Sequence, residues 1–295
     1  MMKSLPKISI VVPSFNQGHF IGETLESLIS QQYPNLEIII IDGGSTDNTV
    51  AVIERYGTYI KHWVSEKDNG QTHAINKGLE QVTGDLFNWL NSDDVLEPGA
   101  LQHLAELYIR NPTKNLFIGR TRFFNANGTI RNSIPIVYKS VCTTLGYGQV
   151  NQPATFYRRS AIEQLLPLAE DLRMCLDLDL WMRYLLKFGQ EAICQSDYVL
   201  AGFRFHGDSK TMSAANPFRE ERNRLYEKLY SEYSNHEVVQ CAIPYYYLWY
   251  ADELLGEGKI GEAKEKLDQV SFMKLNFEGK RRYVGIYRRL KLKGK

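Results

Sequence analysis

Two adjacent aspartates, Asp93 and Asp94, preceded by Asn91 and Ser92, follow the mostly apolar run Leu86-Phe87-Asn88-Trp89-Leu90. The run reads as a buried strand, so the acids leave its carboxyl end, where open α/β sheets bind their ligands. Neighbouring carboxylates repel each other unless a cation sits between them and a partner. A hard divalent ion carrying substrate phosphate suits that place. The same four residues would also serve as a polar turn ahead of the helix that starts near Pro98.

Three other strand ends carry polar or acidic loops. Asp42-Gly43-Gly44-Ser45-Thr46-Asp47 has two glycines that let the backbone approach a ligand, an acid able to accept from a base or ribose, and Ser45 or Thr46 to cap the next helix. It is not a GxGxxG loop, so a nicotinamide dinucleotide is not expected. Pro13-Ser14-Phe15-Asn16 offers the Phe15 ring as a stacking face for a nucleobase, or as a plug for the core edge. Ser65-Glu66-Lys67-Asp68-Asn69-Gly70 sets Asp68 at the same rim. Further on, Asp177 and Asp179 open a helical pattern. At i, i+2 spacing one can cap the helix while the other faces a cleft as a general base. His206 ends an aromatic strand, where a neutral imidazole could complete a metal shell or simply face solvent.

The elements that must hold these residues alternate in the first half. Strands are expected at Ile8 to Val12, Glu37 to Ile41, Ile60 to Val64 and Asp85 to Leu90. Helices are expected through Ile21-Leu25-Leu28-Ile29, Thr46 to Tyr56 and Gln71 to Val82. That succession predicts an α/β fold with a mainly parallel sheet flanked by helices. Later, Leu116 to Phe124 and Thr129 to Ile134 flank the hairpin signal Asn127-Gly128. Val141 to Ala154 reads as a loop over a cleft, Asp179 to Phe188 as a helix, and Tyr198 to Phe205 as a strand. After Met212 the pattern is helical. Tyr246 to Leu255 and Ile260 to Val270 form a helical hairpin like one tetratricopeptide unit, which must pack on something else. The organisation expected is a main domain over 1–213 and a helical C-terminal region over 214–295.

The 295 residues suffice for one sizeable core with an appendage. No apolar run is long enough to span a membrane, and Met1 to Lys7 lacks the apolar core of a signal peptide. The four cysteines, Cys142, Cys175, Cys194 and Cys241, form no CxxC pair. That spacing predicts neither a disulfide framework nor a zinc site, fits a reducing cytoplasm, and leaves any metal to oxygen ligands. Whole-chain charge is +1, yet eight lysines and arginines and no acid follow Glu278, so a mildly acidic body carries a basic C-terminal segment.

Taken together, Ile10-Val11-Val12-Pro13-Ser14-Phe15-Asn16, Ile41 to Asp47, Asn76-Lys77-Gly78, Asn91 to Asp94 and Leu178 to Arg183 resemble the family 2 glycosyltransferases, inverting enzymes of GT-A fold, of the bacterial polysaccharide and lipopolysaccharide type. The match runs from about Lys7 to Ser213. The resemblance implies that Pro13, Phe15, Asp42 and Asp68 line the nucleotide pocket and that Asp93 lies near the donor's ribose or sugar. It implies Mn²⁺ or Mg²⁺ on Asp94, with His206, and Asp177 as catalytic base. Leu176 stands where the family often has Glu, so Asp179 remains an alternative base. Asn151-Gln152 replaces a frequent His-Gln before the acceptor loop. The partners implied are a nucleotide-sugar donor, a UDP-sugar before others, and a glycan or polyprenyl- or lipid-linked acceptor. No Gln-x-x-Arg-Trp motif is present, so a processive synthase is not expected.

In the basic segment, Tyr283, Ile286, Tyr287 and Leu290 fall at i, i+3, i+4 and i+7 among Arg and Lys, a pattern suited to an anionic membrane surface or to a packed terminal helix. The location expected is cytoplasmic, peripheral to the inner face of the membrane, with no nucleic-acid partner. A nucleotidyltransferase, or a binding module without catalysis, are the competing classes; the first would need a basic Gly-rich loop that this chain lacks near its start.

Overall fold

Strands form where β-branched and aromatic side chains run unbroken. The computed structural model describes residues 4–134, 136–207 and 215–293. Ile8–Ser14 (β1), Leu36–Asp42 (β2), His62–Ser65 (β3) and Leu86–Trp89 (β4) pair in parallel in the order β3-β2-β1-β4. Every residue of β1 and β4 is buried, as expected for a parallel sheet covered on both faces. The connecting helices are Ile21–Ile29 (α1), Thr49–Arg55 (α2) and Gln71–Leu79 (α3). Gly78 lets α3 lie close on β1: a Cβ there would stand 2.4 Å from Val11 Cγ1.

Beyond β4 the sheet turns mixed. Val95–Leu96 (β5), Leu116–Asn125 (β6), Gly128–Asn132 (β7), Thr155–Arg158 (β8) and Ile193–Arg204 (β9) continue it in the order β4-β8-β6-β9-β5, with β7 as hairpin partner of β6. Ala100–Arg110 (α4) covers part of it. One core, including Ile10, Val12, Leu25, Ile40, Leu86, Leu104 and Phe156, fills the space between sheet and helices. The βαβα succession and the Asn127-Gly128 hairpin stand as the sequence predicts.

The chain divides into two compact units, the first made of 1–135, 151–180 and 191–221, the second of 136–150, 181–190 and 222–295. The boundary expected at 213 falls, with Asp208, Ser209 and Met212, outside the described residues. The second unit is built from Val141–Tyr147 (α5), the latter part of Leu176–Phe188, and the later part of Ala215–Glu232. Glu237–Gly256, Ile260–Asp268 and Phe277–Lys293 complete it. With the four-residue turn Arg159–Ile162 as α6, the longer helices from Leu176 onward are α7 to α11. The helical hairpin of α9 and α10 is present as predicted. Its apolar face is covered within its own unit, where Tyr147, Leu248, Leu254, Leu267, Ile286 and Leu290 share a second core.

Two expectations are corrected here, and a third, left open between two alternatives, is narrowed. Val141 to Ala154 is not an open loop: Ser140 caps α5, accepting from Cys142 N–H, and Thr143 through Tyr147 are buried. Gly146 removes the obstacle to this packing, since a Cβ there would lie 2.5 Å from Ala242 O on α9. Second, Cys142 and Cys241 form a disulfide across α5 and α9, their Cα atoms 5.2 Å apart and 99 positions apart in sequence. No local spacing announces such a pair, and with it goes the cysteine argument for a reducing compartment. Third, Ile286 and Leu290 of the basic helix α11 are buried and Tyr283 packs on the same core, so most of this stripe is core and not a free face.

Candidate active site

The carboxyl ends of β1, β2, β3 and β4 deliver the sequence-predicted residues to one rim, all within the first unit. Asp42, the last residue of β2, is wholly buried. Its carboxylate accepts from Gly44 N–H (3.2 Å), Ser45 N–H (2.9 Å), Ser45 Oγ (2.5 Å) and Ser65 Oγ (2.6 Å), tying the glycine loop to β3. Asp68 lies against that loop, where a Cβ on Gly43 would come within 2.8 Å of its carboxylate. Pro13 is buried in β1, whereas Phe15 is 57% exposed and presents its ring to solvent. The N-cap position of α2 is Asn48, whose side chain makes no capping bond; Asp47 just before it accepts from Thr49 N–H (2.9 Å), in place of the Ser45 or Thr46 expected.

Asn91 to Asp94 forms a closed turn. Asp94 N–H donates to Asn91 O (3.0 Å), and Thr24 Oγ1 donates to Ser92 O (2.9 Å) and Asp94 O (2.7 Å), pinning the turn to α1. The Asp94 carboxylate is buried; it accepts from Asn91 Nδ2 (3.2 Å) and from Arg204 N–H (3.0 Å). Burial first, and the neighbouring Asp93 carboxylate second, hold its pKa well above the usual carboxylate range, against the hydrogen bonds from Arg204 and Asn91. His206 comes to Asp93: Nε2 and Oδ2 are 2.9 Å apart, and the ring packs on Phe20 at 4.4 Å between centroids. A cavity of about 240 Å³ opens beside it, lined by Phe20, Arg204, Phe205 and the Asn125–Asn127 hairpin tip.

Asp177 and Asp179 lie in the first turn of α7, both half-buried. The approach to this helix is held by Glu221, whose buried carboxylate accepts from Arg173 N–H (3.0 Å), Met174 N–H (2.6 Å) and Cys175 N–H (2.7 Å). Helix α3 ties this segment to the acidic turn. Gln71 Nε2 donates to Asn91 Oδ1 (2.7 Å), Thr72 Oγ1 to Leu172 O (3.3 Å), and Asn76 exchanges hydrogen bonds with the Leu168 backbone in both directions. Asn151 and Gln152 are buried supports: Gln152 Nε2 donates to Trp89 O (2.6 Å) at the end of β4, and Asn151 Nδ2 to Ser133 Oγ (3.0 Å).

Sequence reasoning missed Arg204, Gln71 and Glu221. Arg204 secures the acids through four groups: its N–H on Asp94, its Nε on Asp93 O (2.9 Å), an ion pair with Glu23 (2.7 Å), and its guanidinium over Phe20 and Phe124. Its sequence signal is a lone arginine between Phe203 and Phe205, two positions before His206. Glu221 had none, being 44 residues from Asp177 on another helix.

Asp93, Asp94 and His206 fit a hard divalent ion: their donors are carboxylate oxygens and an imidazole nitrogen, and a cation would offset both the burial and the Asp93 charge that lift the Asp94 pKa. Among the described residues, no three His, Cys, Asp or Glu side chains are close enough to hold a metal alone. A substrate diphosphate would have to complete the shell.

A mixed α/β sheet with acids gathered where parallel strands end places a ligand crevice at that rim. The chain belongs to glycosyl transferase family 2, whose profile matches residues 9–166. It is 26% identical over 258 residues to an uncharacterized glycosyltransferase of Rickettsia conorii, covering 82% of this chain and 41% of the relative. Two related Rickettsia sequences are likewise spanned over 35% and 41% of their length. The fold is GT-A. The structure of Staphylococcus aureus TarS with UDP-GlcNAc superimposes at TM-score 0.64 with 17% identity, covering 95% of this chain and 79% of that one. The mannosyltransferase PcManGT of Pyrobaculum calidifontis, in complex with GDP-Man and Mn²⁺, does so at 0.54 with 16% identity, covering 99% and 87%. The chain spans less than half the length of these Rickettsia relatives. Among the described residues no helix is long and apolar enough to cross a membrane.

Proposed function

We propose that this enzyme moves a sugar, with inversion, from a nucleotide-sugar (a UDP-sugar before other nucleotides) to a hydroxyl of a glycan or a polyprenyl- or lipid-linked acceptor. The product would be a bacterial surface polysaccharide, made at the cytoplasmic face of the membrane. The observation that carries this reading is the buried Asp94 beside Asp93, with His206 against Asp93, at the carboxyl end of β4. Asp94 and His206 would hold Mn²⁺ or Mg²⁺, and Asp93 would meet the donor's ribose or sugar. TarS with UDP-GlcNAc and PcManGT with GDP-Man and Mn²⁺ support the donor class and the ion.

Bound there, the ion would offset the negative charge that develops on the departing nucleotide diphosphate. Phe15 stacks on the base, with Pro13, Asp42 and Asp68 shaping the pocket around it. Asp177 takes the proton of the acceptor hydroxyl as its oxygen bonds the anomeric carbon from the face opposite the nucleotide. The bond from that carbon to the diphosphate oxygen breaks with its electron pair leaving on the nucleotide. One displacement gives inversion without a covalent intermediate.

The test is transfer and donor hydrolysis with and without Mn²⁺ over a panel of nucleotide sugars, in wild type and in Asp177→Asn. Activity that follows the ion, together with a loss of about 10²–10⁴-fold in transfer and unchanged donor binding in the variant, is expected. Near-wild-type turnover of Asp177→Asn would remove Asp177 from its role.

A further inference from the structure

We propose that the outward face of α11, with Phe272 and Met273 just ahead of it, is a docking surface for an anionic lipid bilayer. The proposal deepens the reading of a membrane-linked acceptor and identifies which face of the helix makes the contact. Most of the stripe that sequence periodicity selects is occupied: Ile286 and Leu290 are buried and Tyr283 packs on the second core. The remaining apolar residues point the other way. Met273 is 81% exposed, Phe277 and Leu292 each 77%, and Val284 and Tyr287 are exposed between them.

Cations alternate with these tips along the same face. Arg281, Arg288 and Lys291 are exposed and Lys280 half-buried, so Phe277, Lys280, Arg281, Val284, Tyr287, Arg288, Lys291 and Leu292 recur at helical spacing. Lys280 stands 5.5 Å from the Phe272 ring centroid and Lys291 4.9 Å from that of Tyr287. The two arginines that are balanced, Arg282 and Arg289, both pair with Asp252. Glu278 is the only acid on the helix.

Charge and apolarity together select the occupant. A polyanion such as RNA would satisfy the cations and leave Met273, Phe277 and Leu292 in water. A bilayer with anionic headgroups takes both, since the cations attract the surface and the apolar tips enter the headgroup boundary.

Co-sedimentation of the whole chain with vesicles of phosphatidylcholine and phosphatidylglycerol, and of phosphatidylcholine alone, decides the matter. Binding to the anionic vesicles only, weakened by salt, is expected. Arg281→Glu/Arg288→Glu/Lys291→Glu should lose at least about tenfold in partitioning. Phe277→Ser/Leu292→Ser should lose roughly fivefold. Both variants carry only exposed changes, so unchanged circular dichroism and unchanged donor hydrolysis are expected of them. A wild-type chain that stays in the supernatant, or variants that partition as wild type does, overturns the docking surface. Binding of a single-stranded oligonucleotide in preference to vesicles overturns it too. Donor hydrolysis that persists in any of those cases leaves the catalytic reading standing, and its loss in wild type would count against that reading instead.

Discussion

Glu37 and Asp94 are carboxylates buried at opposite ends of the parallel sheet, and their surroundings treat them in opposite ways. At the amino end of β2, Glu37 accepts from Ser9 Oγ (2.5 Å), Thr83 N–H (3.0 Å) and Thr83 Oγ1 (2.8 Å), and pairs with Lys7 Nζ at 2.7 Å. Burial raises its pKa, but these donors and the lysine outweigh that and bring it to about 2. At the carboxyl end of β4, Asp94 is buried as deeply with one backbone and one amide donor and a second carboxylate beside it, and its pKa goes up. The acid that serves the fold is fully compensated. The acid proposed to serve chemistry is left short of positive charge, a shortfall that a cation arriving with the donor would fill.

The largest break in that comparison is expected from Asp94→Asn. Transfer should fall on the order of 10³-fold, as for removal of a charge-stabilising group, measured as nucleotide release at saturating donor and Mn²⁺. Because the native carboxyl's pKa is raised, its ionisation as pH climbs works against the folded state. The metal-free variant should therefore melt no lower than wild type at neutral pH, and should lose the stabilisation that Mn²⁺ with donor confers on wild type.

Glu37→Gln should do the reverse, on the order of 2 kcal/mol lost in stability with kcat unchanged, measured by urea unfolding and by transfer. The sign follows from the lowered pKa. Stability from Glu37 is present above the unfolded-state value near 4.5 and disappears as pH falls toward 2, so the variant should show a flatter acid limb in that window. A variant as stable as wild type at pH 7 would mean that the amino end is no better compensated than the carboxyl end.

Phe15→Ala separates pocket from core at the carboxyl end. An exposed ring that stacks on a base is worth about 1–2 kcal/mol, so donor KM should rise roughly tenfold with melting unchanged. A lowered melting temperature at unchanged KM would instead make Phe15 a plug of the core edge.

The carboxyl-end acids Asp42, Asp68, Asp93 and Asp94 were legible in the sequence because each lies at or within a few residues of the end of an apolar run. Local periodicity sufficed, and the hairpin at Asn127-Gly128 was legible for the same reason. What holds the acids was not. Arg204 reaches Asp94 from 110 residues away, Gln71 reaches Asn91 across a helix, and Glu221 grips the approach to Asp177 from another helix. Each is a tertiary contact between polar residues that are unremarked in their own segments. The second unit failed differently. The Val141–Tyr147 segment reads as loop because threonine and glycine are weak helix formers, yet a close partner helix and the Ser140 cap suffice to form it. The α11 stripe was seen correctly as amphipathic, but periodicity cannot say whether an apolar face meets protein or lipid.

The smallest effect expected is that of Lys7→Met, and it grades the compensation at the amino end. Lys7 is 41% exposed, so its attraction to Glu37 is screened by solvent and salt, and the hydroxyl and amide donors of Ser9 and Thr83 remain when it is gone. A loss of no more than about 1 kcal/mol is expected at low ionic strength, shrinking as salt is added. The Glu37 pKa should move back toward its ordinary value, so the acid limb of the stability profile shifts to higher pH. If Lys7→Met costs as much as Glu37→Gln, the lysine and not the hydrogen-bond donors keeps this carboxylate ionised. The amino end would then depend, as the carboxyl end is proposed to, on a single cation.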